Sequence, residues 1–497
     1  MPKSYRPWTP TQSFLLPPSP MEWLDEGHLA YFVLDVVPML DLSGIERAVQ
    51  AKDARGERPY APVMMTALLI YAYCVGVFSS RKMARATHED VAFRVIAGGG
   101  HPHFTTINQF RLEHREALAA LFVQVLRLCR KAGLVKLGHV SFDGTKVQAN
   151  ASKHKAMSYA RMLEEEQRLE AEVKALLARA DETDRQEDQM YGVGAAPEDL
   201  PKELQRRETR LNRIREAKAA LEQEAAQARL ELLKEQASAQ RNRVGDETLG
   251  AAERGRAAYR VATAEEKARA ISGQDTDDDP PSGSTGGELP HHRVPARPDG
   301  TPDPKAQRNF TDPDSRIMVS GGTIVQAYNA HTAVDAEAQI IVAVAVTNQA
   351  PDCEHLVPML DRVIANCGEA PTVVTADNGF LSKGNIDACV ERGVDAYIAV
   401  GRDPAQMAHP ARAAATPAQE ARRAMAKKLT TAAGKAIYAR RKATAEPPFG
   451  HIKQARGFRR FFLQGIEKVR VEWALVCMTH NLLKLFRYGR PSSAQPA

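Results

Sequence analysis

A chain of 497 residues with 43% apolar residues is too long for one simple core and predicts two or three packed domains. Its 67 Lys and Arg against 61 Asp and Glu leave a net charge of +6 and a pI near 8.9, a mild bias toward an anionic partner. Six cysteines without a Cys-x-x-Cys pair argue against a zinc site or a secreted disulfide framework, and a reducing cytoplasm is the expected location.

Met1 to Pro20 lacks the unbroken apolar stretch of a signal peptide. From Met21 to about Val135 the pattern is helical. The apolar run Ala67 to Phe78 falls short of the ~20 residues that span a bilayer and predicts a buried core helix. A basic turn follows (Ser79, Ser80, Arg81, Lys82), Gly98-Gly99-Gly100 breaks the pattern, and Thr105-Thr106 supplies capping hydroxyls for another helix. Such a unit suits a small helical DNA-binding module.

Gly138 to Phe142 predicts a short strand ending in Asp143-Gly144. Charged helical sequence then takes over: between Tyr159 and Gln240 apolar residues fall at heptad spacing (Leu204, Leu211, Ile214, Leu221, Ala225, Ala228, Leu232), predicting a helical hairpin or coiled coil turning at Tyr191 to Pro201. Ile271 to Gln307 is rich in Asp, Pro, Ser and Gly and is expected to be a mobile linker. Two β-rich runs, Thr323 to Val334 and Gln339 to Val346, predict a hairpin turning at Asp335 to Ala338. A helix (His355 to Asn366), a strand (Pro371 to Ala376), a helix (Lys383 to Arg392) and a strand (Asp395 to Val400) alternate as in an α/β sheet domain. Closing helices are expected from Glu446 to Arg456 and from Gly465 to Phe486.

Phosphodiester cleavage and transfer require in-line oxygens and neutralised charge, which two metal ions ~4 Å apart provide when carboxylates from rigid elements converge. Asp143 and Asp377 would both project from one edge of a sheet. Taken singly, Asp-Gly and Asp-Asn-Gly are ordinary turn sequences, and Glu446 before Pro447-Pro448 reads as a carboxylate at a helix start. Asp352-Cys353-Glu354-His355 superficially suggests metal ligands, but Asp352 more simply caps the next helix, and no metal site is expected there.

The joint arrangement resembles the DDE transposases of bacterial insertion sequences. Ser141-Phe142-Asp143-Gly144-Thr145-Lys146 resembles the first acidic motif of that family and Thr375-Ala376-Asp377-Asn378-Gly379-Phe380 the second. Glu446-Pro447-Pro448-Phe449-Gly450-His451-Ile452-Lys453, followed by Arg456-Gly457-Phe458-Arg459-Arg460-Phe461, looks like the third, and Thr311-Asp312-Pro313-Asp314-Ser315-Arg316 also fits. The N-terminal part resembles the InsH-type leader domain, on Tyr71 to Arg81 and Thr106 to Arg111.

The resemblance implies that Asp143, Asp377 and Glu446 are catalytic and bind two Mg2+ ions, with Mn2+ as a possible substitute. It implies that Lys453 touches DNA phosphate and offers Tyr438 and Arg441 as the Tyr and Arg upstream of the glutamate, although their spacing departs by one residue and Lys442 stands where the Arg is expected. Arg456, Arg459 and Arg460, alternating with Phe458, Phe461 and Phe462, are expected to face phosphates over inward-packed rings. The implied fold is an α/β ribonuclease H-like catalytic domain, a mixed sheet with flanking helices, plus an all-α N-terminal domain and a helical coiled-coil insertion. The expected boundaries are 1–135 for the leader, 136–150 and 318–486 for the catalytic domain, 151–270 for the insertion, 271–317 for a mostly flexible linker and 487–497 for a disordered tail. The implied activity is metal-dependent cleavage at transposon ends and strand transfer into double-stranded target DNA, by a homodimer or larger assembly. The alternatives are a nuclease of the same fold without joining activity and a non-catalytic DNA-binding coiled-coil protein.

Overall fold

The computed structural model describes residues 22–51, 58–191, 202–246, 248–272, 289–401 and 416–489. The expected turn between the insertion arms, the stretch 273–288 and the tail beyond Gly489 lie outside them. No helix among the described residues is long and apolar enough to cross a membrane.

Among the described residues the first α-helices are α1 (Leu29–Val36), α2 (Ser43–Gln50), α3 (Pro62–Cys74), α4 (Ser80–Glu89), α5 (Val91–Ile96), α6 (Phe104–Glu113) and α7 (Arg115–Lys131). Pro62 starts α3, where its missing N–H costs nothing, and every side chain from Met65 to Cys74 is buried. A helix apolar on all sides needs neighbours on all sides. Those of α3 include α1, α2, α5 and the last helix of the chain. The cap of α6 is the imidazole of His103, which accepts from the Thr105 N–H, rather than a threonine hydroxyl.

The sheet comprises β1 (His139–Gln148), β4 (Arg316–Ser320), β5 (Thr323–Asp335), β6 (Ile341–Thr347), β7 (Val373–Ala376) and β8 (Asp395–Ile398); a separate two-stranded ribbon pairs β2 (Ala156–Ser158) with β3 (Gln307–Asn309). One edge of the long β5 carries β4 and β6 end to end, and its other edge pairs antiparallel with β1. Parallel pairing then continues from β1 to β7 to β8. Thus the sheet is mixed. On one face lies α11 (Leu356–Cys367), against β5 and β6; α12 (Lys383–Glu391) joins β7 to β8.

Strand β1 is twice the expected length. Asp143-Gly144 is not a turn, because pairing with β5 continues unbroken from Val140↔Asp335 to Gln148↔Ala327. Asp143 therefore lies mid-strand. The third motif also differs from expectation: Glu446 does not start a helix but sits late in α14 (Ala432–Gly450), which follows α13 (Pro417–Thr430). Pro447 has no N–H for the carbonyl of Ala443, and the side-chain amide of Gln339 donates to that oxygen instead, at 2.8 Å. This replacement lets the helix run through a proline. A single π-helical turn, His451–Ala455, leads toward α15 (Ile466–Tyr488).

The insertion contains α8 (Tyr159–Tyr191), α9 (Lys202–Val244) and α10 (Ala251–Ser272). Pairs Tyr159–Glu222, Glu166–Lys218 and Glu172–Arg207 show α8 and α9 running antiparallel. Met162, Leu169, Leu211, Ile214, Leu221 and Ala225 form the seam, closed by Val294 and Ala306. Further along, Leu233 rather than Leu232 is buried, against α10. These apolar positions are occupied within the chain. Consequently residues 289–317 are not linker: Leu289, Val294, Ala306, Asn309, Asp312 and Ser315 are buried.

A single buried apolar cluster extends from Ala30 through the sheet to Leu482, so the N-terminal helices share the core of the sheet rather than owning a separate one.

Candidate active site

Ser141 and Thr375 are partners across the parallel pair β1 and β7, and their hydroxyls are 2.7 Å apart. Two residues further along each chain stand Asp143 and Asp377, which strand alternation puts on that same face. Asp377 also caps the turn Asn378–Phe380, its Oδ1 accepting the Gly379 N–H at 2.9 Å. Helix α14 packs over this face of β1 and β7.

Asp143 is 16% exposed; its Oδ1 accepts the Gly144 N–H at 3.0 Å and lies 3.2 Å from Nη2 of Arg441, itself 11% exposed. Burial pushes the Asp143 carboxyl up to about 6; Arg441 pulls it down and the like charge of Asp377 pushes it up again. Tyr438, one turn before Arg441, is half-buried, and burial raises its phenol, with Arg441 opposing and Asp377 and Asp143 adding to the rise. Lys453 reaches the same strand from the π-helical turn, donating to Thr145 Oγ1 and, at 3.2 Å, to the Lys146 carbonyl. Burial lowers its ammonium, and Asp143 partly offsets that. The structure thus gathers Asp143, Asp377, Tyr438, Arg441 and Lys453.

Glu446 is not drawn into this group. It is exposed, and its carboxylate does not join Asp143 and Asp377 within 4.8 Å. Lys442, Arg459 and Arg460 are exposed as well. Arg456 is not a surface cation: it is buried and donates to Tyr73 O (3.4 Å), Thr479 Oγ1 (2.7 Å) and Val476 O (2.9 Å), stitching α3 to α15. Gly76 makes room for it, since a Cβ there would meet the Arg456 carbonyl at 2.6 Å. Phe458 and Phe461 do pack inward.

The Thr311–Arg316 segment is a junction. Buried Asp312 accepts from Tyr328 Oη (2.7 Å) and the Gly465 N–H (3.2 Å), Asp314 accepts the Ile466 N–H (2.9 Å), and Arg316 donates to Glu224 of the insertion (3.3 Å). It ties the start of α15 and the insertion to β4.

The residues present suit a hard divalent cation. Two neighbouring carboxylates repel one another, Asp143 in the middle of β1 and Asp377 just past the end of β7, and Thr332, the cross-strand partner of Asp143, has a buried hydroxyl with no partner among the described residues.

A second group lies behind β1: sequence reasoning set Asp352 and His355 aside as ligands and missed His331. Asp352 does not cap α11, whose first residue is preceded by His355 without any side-chain cap. Its Oδ1 accepts from Asn329 (2.6 Å) and Lys146 (3.2 Å), and it lies among His331 and His355. Burial drives the imidazole of His331 well below the ordinary histidine range, and that of His355 down to about 4. The strand position of His331, facing Gly144, was the available signal.

Residues 299–482 match the family model of the transposase DDE domain, and residues 19–113 match that of a transposase domain, DUF772. Asp377, Glu446 and Lys453 fall inside the first match; Asp143 precedes it. No curated protein and no solved structure matches the chain.

Proposed function

From the premise that this chain is a DDE transposase of insertion-sequence type, carrying both a transposase DDE domain and a second transposase domain, we propose that it cuts DNA at transposon ends and joins the released strands to target DNA. The observation that carries this reading is the side-by-side placement of Asp143 and Asp377 on neighbouring parallel strands, beneath the helix that bears Glu446. The mixed sheet, with antiparallel β5 beside parallel β1, β7 and β8, is consistent with a ribonuclease H-like catalytic domain.

In this reading Asp143, Asp377 and Glu446 hold two Mg2+ ions, for which Mn2+ can substitute. Bound there, such ions supply Lewis acidity and a nucleophilic water or 3′-hydroxyl at neutral pH. The protein's own groups do the rest. Arg441 and Lys453 place positive charge beside the carboxylates, where a scissile phosphate would lie, and Tyr438 offers a phenol for hydrogen bonding to the same phosphate. Lys442, Arg459 and Arg460, all exposed, extend the basic surface for backbone contacts that carry no sequence information. Action at two ends calls for a homodimer or larger assembly on double-stranded DNA. Because the helical seam of the insertion is filled from within the chain, that assembly would use another surface.

The test is Mg2+-dependent cleavage and strand transfer on a DNA fragment carrying the flanking element ends. Both activities are expected. Cleavage without joining would indicate a nuclease, and binding without either would indicate a DNA-binding protein.

A further inference from the structure

Gly144 is the cross-strand partner of His331, on the face of β1 opposite Asp143. A Cβ at position 144 would stand 2.8 Å from Cε1 and 2.9 Å from Nδ1 of that ring, so glycine is what allows the imidazole to lie against the strand. His331 is fully buried, yet neither ring nitrogen has a hydrogen-bond partner among the described residues. Leaving a buried polar group unsatisfied is costly, and here one side chain brings two such atoms into the interior.

Its Nε2 lies 3.6 Å from Asp352 Oδ1. The Nδ1 of His355, buried and also unpartnered, lies 3.9 Å from that same oxygen. Both separations are too long for hydrogen bonds. All three atoms nevertheless lie within 4.8 Å of one another. Ligand atoms around a tetrahedral ion with ~2.1 Å bonds stand roughly 3.4 Å apart, so a small inward movement would seat one.

We propose that His331, Asp352 and His355 form a transition-metal site, with Zn2+ as its natural occupant, built from other residues than the carboxylate triad but adjoining it, since a Cβ on Gly379 would stand 3.1 Å from Asp377 Oδ1 and 3.2 Å from Asp352 Oδ2. Two imidazoles and one carboxylate suit zinc, whereas magnesium favours oxygen alone. The His355 ring is already oriented to bind: its Nε2 lies 2.9 Å from Gln349 Oε1, which fixes the proton on Nε2 and leaves the Nδ1 lone pair facing Asp352. Asn329 steadies the carboxylate. Lys146, whose ammonium also donates to the Ala350 carbonyl at 2.8 Å, would turn wholly to that oxygen when Asp352 binds the ion. A metal here would clamp the start of α11 to β5 directly behind the strand that carries Asp143.

Full-length protein stripped with a chelator and dialysed against Zn2+ in excess Mg2+ should retain one zinc per chain. Co2+ in its place should show the intense visible bands of a low-symmetry, near-tetrahedral site. Asp352→Asn and His355→Ala should lose the ion, Gln349→Ala should bind it ~10–100-fold more weakly, and the double variant Asp143→Asn/Asp377→Asn should retain it. Near-UV circular dichroism shows whether each variant is folded, and Gln349→Ala keeps the test open should His355→Ala not fold. Wild-type protein that holds no zinc, or zinc that survives in Asp352→Asn and Gln349→Ala but leaves with the Asp143/Asp377 pair, would overturn the proposal. Failure of the triad would leave this zinc in place, so the two readings fail separately.

Discussion

Arg441 holds the carboxylate of Asp143 at 3.2 Å in a nearly solvent-free contact, and it does so from the helix that also carries Glu446. One residue thereby joins the first strand of the sheet to the third acidic motif. Removing one partner of such a pair leaves the other desolvated and unpaired, at a cost of roughly 3–5 kcal/mol. Arg441→Ala should therefore lower the melting temperature in chelator, and millimolar Mg2+ should restore more of the loss than it adds to wild type. Equal Mg2+ responses in the two proteins would argue against a cation at Asp143.

Exposure predicts the opposite balance for Glu446. Glu446→Gln should leave stability within ~0.5 kcal/mol of wild type, as surface substitutions do, while abolishing Mg2+-dependent cleavage. A variant that melts normally and cuts normally would remove Glu446 from the site.

Arg456 and the pair Arg459 and Arg460 should separate cleanly. Arg456→Ala leaves three hydrogen-bond partners between α3 and α15 unmet and should cost ~3 kcal/mol in chemical unfolding. Folded Arg456→Ala should bind DNA with an unaltered salt dependence. Arg459→Ala/Arg460→Ala should do the reverse, keeping stability while reducing the slope of log K against log salt by about 1–2. Equal slopes for all variants would place DNA elsewhere.

Glu472 gives a pH dependence. Its carboxylate is fully buried and accepts the Phe462 and Leu463 N–H groups; burial pushes it up to about 7 from 4.5, with Arg111 and the two N–H groups opposing. Below the unfolded value both states are protonated and the folded form keeps its full advantage. Between 4.5 and 7 the unfolded chain releases its proton first, so stability falls by at most ~1.4 kcal/mol per pH unit and levels off above the folded value. Glu472→Gln should flatten this segment of the stability curve measured by urea unfolding.

The sequence and the structure agree where one physical signal dominates. Alternating apolar residues located β5 and β6, the helix and strand rhythm located α11, β7, α12 and β8, and parallel pairing brought Asp143 beside Asp377. They part where a local signal is overridden from far away in the chain. Asp143-Gly144 has the composition of a turn, but the absent Cβ serves the packing of His331 and the strand continues. Pro447-Pro448 has the composition of a helix start, but Gln339, over a hundred residues earlier, supplies the donor that Pro447 lacks. An arginine among phenylalanines reads as a phosphate-facing rim, yet Arg456 spends its two terminal nitrogens on two backbone carbonyls and a threonine in the core. From residue 289 on, polar sequence read as linker folds after all, because Asp312 and Asp314 find N–H donors at the start of α15. None of these partners is visible in a local window.

The most direct measurement is strand transfer with Mg2+ on DNA bearing the element ends, comparing wild type with Asp143→Ala, Asp377→Ala and Glu446→Ala. Loss of both cleavage and joining in all three, with end binding retained, is the predicted result. Wild-type activity in any of the three would contradict the assignment of these carboxylates as the metal-binding catalytic centre.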